Sequence, residues 1–480
     1  MKRQIILFLI LLLASTLLAI QDRKQKNNLN HIDLSHDLNY QIKKNENNIE
    51  DYPILSKIRE DNDPCYSVVF DAGSTGTKYE IFQWDCNQAF SEDQKINIQS
   101  IKSSKDKQPI SNYESNLEGL ISVFEQKFAE IKEIIPEDKL SETDIYLGAT
   151  EGMRQLIQEK QEAIINQIVS IFQNSGFRFQ DSSNARVITG DQEGIFLWIA
   201  VNDMIKQVSK IQDIFNQNAI TTIDVGGKSS QIAFLTNTED VKKKDAQFQY
   251  QIVSSSKYAF LVNSEKLGFK NAKMEILKQE FADQKEQNSE QVLYSSCYNK
   301  GYEGYEEELN FKIVGQGDPE KCINLIRRFF KLENCGYPKY RDCSEKSSQQ
   351  NILQTQNNQK IYVVENAMYA RRAYGLSDSY SPKQLQKKVF KFCKKLYAQI
   401  NQNEDIYTHN QCLLGLYVSS LQVDHYGIDP NQTIYSPSQI NEWMPSWGMG
   451  MLLAEIFNKK CNLQEDKSLC EFLELLLTSH

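Results

Sequence analysis

A short motif that occurs twice constrains the fold of this 480-residue chain more than any other feature of its sequence. In each copy an apolar stretch ends in an aspartate, a turn rich in glycine and serine follows, and a second strand-like stretch begins. The copies span residues 68–78 and 222–234, about 150 residues apart. We infer two related lobes that face each other across a cleft, which is where ligands usually bind.

The segments around both copies alternate between β-rich runs and runs of helical periodicity, which is typical of an α/β protein. Apolar residues recur at three- and four-residue steps from Leu117 to Ile135 and predict a helix that ends at Pro136. A chain of this length is too long for one ordinary core. The sequence therefore predicts an α/β fold with lobe I over residues 63–188, completed by residues 446–480, and lobe II over residues 189–445.

The two turns have the composition of a phosphate-binding site. A turn of Gly, Ser and Thr leaves several backbone N–H groups pointing into one concavity, which binds phosphate oxygens. Side-chain hydroxyls add further donors at Ser74, Thr75, Thr77, Ser229 and Ser230. The aspartate that opens each turn, Asp71 or Asp224, suits Mg²⁺ or Ca²⁺ as a ligand, directly or through water. Two ordinary β-hairpins are the alternative, and the presence of two matched copies argues against it.

Two further segments, residues 148–154 and 190–198, predict junctions from a strand into a helix, and helix N-termini favour anions. Glu193, followed by Gly194, is placed at the start of the second helix, where its carboxylate can orient a water for in-line attack on phosphorus. The alternative is a carboxylate that only caps the helix and stabilises its dipole.

The N-terminus and the overall charge indicate a compartment and exclude one class of partner. Lys2 and Arg3 precede an apolar run over residues 5–20, so residues 1–20 are predicted to be a signal peptide or signal anchor, and residues 21–62 a flexible lead-in. We expect a protein of the secretory pathway, secreted or in the ER or Golgi lumen, that contacts a membrane only if the first segment is retained. The net charge of -9 offers no basic face for nucleic acid.

Ten cysteines, an even number, fit an oxidising compartment. Their spacing suggests local disulfides, although sequence alone does not prove connectivity. The predicted pairs are Cys65 with Cys86, Cys297 with Cys322, Cys335 with Cys343, Cys393 with Cys412, and Cys461 with Cys470. One N-glycosylation sequon begins at Asn431.

Taken together, these segments resemble the five conserved regions of the apyrase and nucleoside diphosphatase family, which belongs to the actin-like superfamily. The matching regions are residues 71–78, 149–154, 190–202, 223–234 and 446–453. The resemblance implies two actin-like (RNase H-like) lobes with an active-site cleft between them. It also implies Ca²⁺- or Mg²⁺-dependent hydrolysis of nucleoside di- or triphosphates by an activated water, without a phosphoenzyme. The first turn is more similar to the lumenal or secreted diphosphatase branch, because the double-anchored enzymes usually have His where Gly76 stands.

The resemblance also implies a role for individual residues. Glu193 would be the general base, and the metal would be held through its waters by Asp71, Asp224 and Thr150, with Trp447 against its hydration shell. The residues implied to bind the phosphates and align the water are Ser74, Gly76, Gly226, Gly227, Ser229 and Gln231. Aromatic and arginine side chains of a helix in lobe II would contact the nucleobase, and the candidates are Tyr369, Arg371, Arg372 and Tyr374.

Two residues depart from the family pattern, because Glu151 and Lys228 stand where alanine is typical. We hypothesise that their charges pair across the cleft, since an unpaired carboxylate beside phosphate would repel it by about 1 kcal/mol or more. An impaired site that only binds nucleotide is the rival outcome. A related exopolyphosphatase is the second enzyme reading, against which the signal segment and the cysteines count.

Overall fold

The structure, a computed structural model, describes residues 64–86, 96–104, 107–206, 220–237, 249–253, 258–284, 291–330, 359–400, 408–461 and 467–478. The predicted signal segment, residues 1–20, and the lead-in, residues 21–62, lie outside the described residues. Across the described ranges, none of the helices combines the length and the apolar character that a membrane span requires.

The first sheet begins with the hairpin that carries the first copy of the repeated motif. Its strands are β1 (Pro64–Gly73), β2 (Gly76–Asp85), β3 (Gln99–Ser103), β4 (Asp144–Ala149) and β5 (Ala185–Val187), in the order β3-β2-β1-β4-β5. The helices in this part of the chain are α1 (Gly119–Lys132), α2 (Glu151–Arg154) and α3 (Gln158–Gln173), followed by α4 (Gly190–Lys206). Helix α1 occupies the segment in which the apolar periodicity predicts a helix.

The second sheet contains the hairpin of the second copy. Its strands are β6 (Thr221–Val225), β7 (Ser230–Asn237), β8 (Gln249–Val253), β9 (Tyr258–Glu265), β13 (Ile361–Glu365), β14 (Ser379–Tyr380) and β15 (Ile434–Tyr435). A smaller sheet consists of β10 (Val292–Ser295), β11 (Glu303–Glu306) and β12 (Phe311–Gly315). The remaining helices are α5 (Phe269–Gln284), α6 (Pro319–Phe329), α7 (Asn366–Ala373), α8 (Pro382–Cys393), α9 (Gln411–Ser420), α10 (Trp447–Cys461) and α11 (Lys467–Thr478).

The two larger sheets share one topology. In the first, β1 is antiparallel to β2 and parallel to β4, and β5 continues the parallel side. In the second, β6 is antiparallel to β7 and parallel to β13, and β15 continues the parallel side. The order β9-β7-β6-β13-β15 therefore repeats β3-β2-β1-β4-β5. This repetition confirms the α/β fold and the two related halves that the duplicated motif predicts, and it agrees with the actin-like lobes that the family resemblance implies.

Helices α4 and α10 pack together in the core cluster that also holds residues of both larger sheets. Residues 195–201 of α4 are all buried, and a helix that is apolar on every side must lie in the interior. Separate clusters fill the outer layers, one beneath α1 and α3 and one beneath α5, α6, α8 and α9. The first turn of α4, with Glu193, is thereby held between the two sheets.

Three of the predicted disulfides are present. They join Cys65 to Cys86, Cys297 to Cys322, and Cys393 to Cys412. Cys335, Cys343 and the side chain of Cys461 lie outside the described residues, and Cys470 is itself disulfide-bonded. The sequence spacing identified these local pairs correctly because each closes a short loop within one supersecondary unit.

Candidate active site

The two Gly- and Ser-rich turns meet at one cleft with a volume of about 260 Å³. The first hairpin lines it with Asp71, Gly73, Ser74, Thr75, Gly76 and Lys78, and the second with Asp224, Gly226, Gly227, Lys228 and Ser229. A β-carbon added to Gly227 would lie 3.0 Å from Oγ of Ser74 and 3.2 Å from Cγ2 of Thr75. The turns are therefore in close contact, and the sequence interpretation of two facing nests agrees with the geometry.

The second turn is fixed from two sides. Within the turn, the N–H of Gly226 donates to the carbonyl of Ser229 at 3.0 Å. Nδ2 of Asn366 donates to the carbonyls of Val225 and Gly226, at 2.7 and 2.9 Å. On the other side the turn packs against Gly268, where an added β-carbon would overlap the backbone of Lys228. This clamping keeps the turn preorganised, so that little ordering is needed when an anion binds.

The two aspartates that open the turns both border the cleft, but their surroundings differ. Burial raises the pKa of Asp71 to about 7, although Lys78, whose Nζ lies 3.7 Å from Oδ2, opposes the rise. Burial also raises the pKa of Asp224 well above its usual value, and the charges of Glu365, Glu193 and Asp71 add to it. Oδ1 of Asp224 is buried and has no hydrogen-bond partner among the described residues. A buried oxygen without a donor is costly, so this pair fits a cation that would satisfy it.

Thr150 and Trp447 stand at the starts of two helices that border the same cleft. Thr150 is the N-cap of α2, and its N–H donates to the carbonyl of Ala72 on β1 at 3.1 Å. Trp447 opens α10, and its ring fills the space beside Gly148, where a β-carbon would lie 2.5 Å from Cη2. Glycine at 148 is thus what allows the indole to reach the cleft.

Glu193 lies in the first turn of α4, almost fully buried, and borders the cleft. Its Oε2 accepts from Nη2 of Arg154 at 2.9 Å and from Nε2 of Gln231 at 3.3 Å. Burial raises the pKa of Glu193, and the charge and hydrogen bond of Arg154 counteract that rise. A carboxylate that is held in place by two donors and made more basic by burial is suited to take a proton from water.

The helix-cap alternative for Glu193 does not describe this junction. The N–H of Gln192 donates to Oγ1 of Thr189 at 3.1 Å, and the N–H of Thr189 donates to Oε1 of Gln192 at 2.7 Å. These reciprocal bonds form a capping box at the start of α4. The Glu193 carboxylate is therefore not needed as the cap and is turned to the cleft.

Arg154 joins the parts of the site and was not singled out by the sequence analysis. Besides Glu193, its guanidinium donates to Oε2 of Glu151 at 2.9 Å, to the carbonyl of Ile188 at 2.9 Å and to Oγ of Ser229 at 3.3 Å. One side chain of α2 thereby bonds to α4 and to the second turn. The available sequence signal was the spacing of Glu151 and Arg154, which lie on one face of a helix.

The predicted pairing of Glu151 with Lys228 is not formed. Glu151 pairs with Arg154, three residues later on the same helix, and Nζ of Lys228 donates to Oε1 of Gln155 at 2.6 Å. Both Glu151 and Lys228 do border the cleft. The prediction was wrong because a partner one helical turn away needs no reach across the cleft.

Thr77 and Ser230 are not among the residues that line the cleft. The hydroxyl of Thr77 donates to the carbonyl of Gln108 at 3.3 Å. That of Ser230 donates to the carbonyl of Asp224 and is also bonded to the hydroxyl of Tyr426. Side chains alternate along a strand, so residues next to a cleft-facing neighbour point to the other face.

Gln231 lies behind the cleft, where its Nε2 donates to Oγ of Ser229 at 3.0 Å and also to Glu193.

The candidate nucleobase residues on α7 divide into two groups. Tyr369 is 45% exposed and lines the cleft. Arg371 is buried and pairs with Asp378 at 2.9 Å, and the buried Tyr374 hydroxyl donates to the carbonyl of Gln411 at 2.6 Å. Arg372 is exposed and contacts Met368. For Arg371 and Tyr374 the expectation is wrong, because the helical period turns them into the core and gives them structural partners.

Comparison with known proteins places the chain among nucleotide hydrolases. The sequence profile described as GDA1/CD39 (nucleoside phosphatase) family matches residues 57–466. The chain is 25% identical over 392 residues to ectonucleoside triphosphate diphosphohydrolase 8 of Bos taurus, across 76% of this chain and 77% of that protein. It is 27% identical over 415 residues to probable apyrase 5 of Arabidopsis thaliana, across 81% of each.

A solved structure supports the fold. The crystal structure of nucleoside triphosphate hydrolases from Neospora caninum superposes with a TM-score of 0.60 and 14% identity, covering 85% of this chain and 95% of that chain. At this identity the likeness shows the fold alone.

Proposed function

This chain belongs to the GDA1/CD39 (nucleoside phosphatase) family, and on that premise we propose that Glu193 is the general base with which it hydrolyses the terminal phosphoanhydride of a nucleoside di- or triphosphate. Membership of this family, together with the similarity to its relatives, identifies the chain as a hydrolase of phosphoanhydrides. The residues that perform the reaction are our assignment.

One observation carries the assignment: Glu193 is buried at the cleft where the two turns meet, with its basicity raised by burial and its orientation fixed by Arg154 and Gln231. In the proposed step Glu193 takes a proton from a water whose oxygen forms a bond to the terminal phosphorus. The bond from that phosphorus to the bridging oxygen breaks, inorganic phosphate leaves, and the bridging oxygen stays with the shortened nucleotide. Glu193 then returns its proton to solvent.

The turns supply the binding energy for the phosphate chain. Ser74, Thr75 and Gly76 of the first turn and Gly226, Gly227 and Ser229 of the second would hold the phosphate oxygens, because all of them line the cleft. Tyr369, exposed at the cleft, is the base-stacking candidate that the geometry leaves available. Arg154, bonded to Ser229 and to Glu193, would keep the general base Glu193 aligned with the phosphate-binding turn.

Hydrolysis in this family depends in general on a divalent cation. The residues present fit one: Asp71 and Asp224 would hold it with Thr150 nearby, and the unpartnered Oδ1 of Asp224 gives it a ready acceptor. When bound, the cation would neutralise charge on the phosphate oxygens as the bridging bond breaks. We propose Mg²⁺ or Ca²⁺, since carboxylate oxygens suit both.

The compartment is also part of the proposal. The disulfides indicate an oxidising environment, and Asn431 of the sequon is exposed, where an oligosaccharide can be attached. We therefore propose a secreted or lumenal glycoprotein. The closer similarity to the lumenal branch stays a prediction.

The decisive variant is Glu193→Gln, which keeps the shape and removes the base. We expect kcat to fall by about 10²- to 10⁴-fold with KM nearly unchanged, because a general base contributes about that much. Phosphate release from ATP, ADP, GDP, UDP and polyphosphate, with and without EDTA, is the measurement, and the exposed Glu159→Gln on α3 is the matched control. Full activity of Glu193→Gln would rule out the assignment. Preference for polyphosphate would favour the exopolyphosphatase reading, and nucleotide binding without turnover in the wild type would favour an impaired site.

A further inference from the structure

Glu365 borders the cleft in an unusual backbone conformation. It is the last residue of β13, and its backbone has φ 56° and ψ -116°. Side chains other than glycine rarely adopt positive φ, and such residues concentrate at functional sites. The alternation of an extended strand would place Val364 and Glu365 on opposite faces, yet both line the cleft. The bend at Glu365 therefore turns the last residue of β13 toward the cleft.

A purely structural role does not explain this carboxylate. Glu365 occupies the N-cap position of α7, but its side chain accepts no capping hydrogen bond. Across the described residues, its carboxylate forms no hydrogen bond and no ion pair. The repeated topology provides an internal comparison: Glu365 pairs with Val225 beside Asp224, as Ala149 pairs with Ala72 beside Asp71. The fold accepts alanine at the equivalent position, so it does not require an acid there.

The neighbours of Glu365 are the residues assigned to the cation. Val364, which precedes it, pairs directly with Asp224, whose buried Oδ1 has no partner in the described part of the chain. The negative charge of Glu365 acts on Asp71, Asp224 and Glu193, and the cation that faces this group is Lys78. Within the described residues no three acidic side chains are close enough to hold a bare ion. A cation that keeps part of its water shell can be reached by all of them through water.

We propose that Glu365 is an additional acidic residue of the divalent-cation site, which accepts hydrogen bonds from the cation's waters and lets this cleft take up the cation before the nucleotide. The proposal rests on the cation site described under the proposed function. When they are ionised, Asp71, Asp224 and Glu365 repel a polyphosphate, and Lys78 can offset only one of these charges. A cation bound there would offset this repulsion, so a cleft that already holds the cation is better prepared for a polyphosphate.

The test is calorimetric titration of Mg²⁺ and of Ca²⁺ into the nucleotide-free, EDTA-stripped protein. We expect Glu365→Gln to weaken cation binding on the order of tenfold, as losses of hydrogen-bonded partners around metal ligands do. The matched control is Glu307→Gln, an exposed glutamate between β11 and β12, which should bind as the wild type does. Unchanged cation affinity in Glu365→Gln would overturn the proposal.

A second variant separates ligand from scaffold. Glu365→Gly relieves the positive φ, because glycine adopts it without a side-chain clash. We expect its midpoint of thermal unfolding to stay at or above that of the wild type while its cation affinity falls as in Glu365→Gln. A fall in both would indicate a structural role and overturn the proposal. Both readouts, cation affinity and thermal unfolding, are independent of turnover. A negative result here would therefore contradict only the role of Glu365, whereas an active Glu193→Gln would contradict the proposed general base.

Discussion

At the scale of single residues, burial sets the charge of the carboxylates at the cleft. Asp71 and Glu193 both have raised pKa values because burial disfavours the ionised form, and each is opposed by one neighbouring cation, Lys78 or Arg154. The cleft therefore contains acidic groups that ionise most readily when a cation is present. This property suits a site that has to attract both a metal and a polyphosphate.

The pH dependence of stability follows from Asp71. An acid whose pKa is raised from 3.8 to about 7 on folding stabilises the folded protein fully only below the lower value, and that contribution is lost as the pH rises through the higher one. In EDTA, we expect the wild type to lose about 1 kcal/mol per pH unit relative to Asp71→Asn between pH 5 and pH 7.

Urea unfolding of both proteins at pH 5, 6 and 7 measures this difference. Added Mg²⁺ or Ca²⁺ should reverse the trend, because a bound cation holds the ionised carboxylate. Parallel stability curves for the two proteins would show that Asp71 ionises in the folded protein as it does in the unfolded chain.

At the scale of elements, the site depends on how closely α4 approaches α10. A β-carbon at Gly450 of α10 would overlap the carbonyl oxygen of Phe196 in α4. These helices carry Glu193 and Trp447 into the cleft. Their spacing therefore controls the distance between the proposed base and the rest of the site.

Gly450→Ala should push these helices apart. We expect a loss of about 2–3 kcal/mol in the free energy of unfolding, the upper part of the usual range for an overpacked core, together with a clear fall in kcat as Glu193 shifts. Denaturant unfolding and steady-state kinetics measure the two effects. The control is Lys459→Ala, on an exposed position of α10, which should cost at most about 1 kcal/mol and leave kcat unchanged. A stable, fully active Gly450→Ala would show that the helix contact can relax.

At the scale of the whole molecule, one stabilising cross-link lies in an outer layer, away from the cleft. The disulfide between Cys393 and Cys412 joins α8 to α9, is fully buried and does not line the cleft. It closes a loop with a sequence separation of 19. A cross-link of this size stabilises a protein chiefly by restricting its unfolded chain.

Replacing both Cys393 and Cys412 with alanine should lower the free energy of unfolding by about 3 kcal/mol. We expect kcat/KM of the folded fraction to remain that of the wild type, since neither cysteine is among the residues that line the cleft. Urea unfolding and kinetics well below the transition test both parts. A fall in kcat/KM without a loss of stability would show instead that this outer layer positions the cleft.

The sequence by itself determined the fold class, the family and the acidic residues that open the two turns, and it suggested the three disulfides that the structure contains. Each of these depends on local information: a repeated motif, strand and helix periods, or cysteines close in the chain. The positions of Asp71, Asp224 and Glu193 beside the cleft could be predicted because turn composition and a strand-to-helix junction are local features of the sequence.

Only the tertiary structure decided which side chains share a space. Arg154 is bonded to Glu193 and Ser229, which lie 39 and 75 residues away in the chain. Glu151 pairs with it rather than with Lys228, and Arg371 and Tyr374 belong to the core rather than to the nucleobase site. The physical reason is that hydrogen bonds and burial depend on distances across the folded molecule, which one sequence does not contain, whereas periodicity and turn chemistry act between neighbours along the chain.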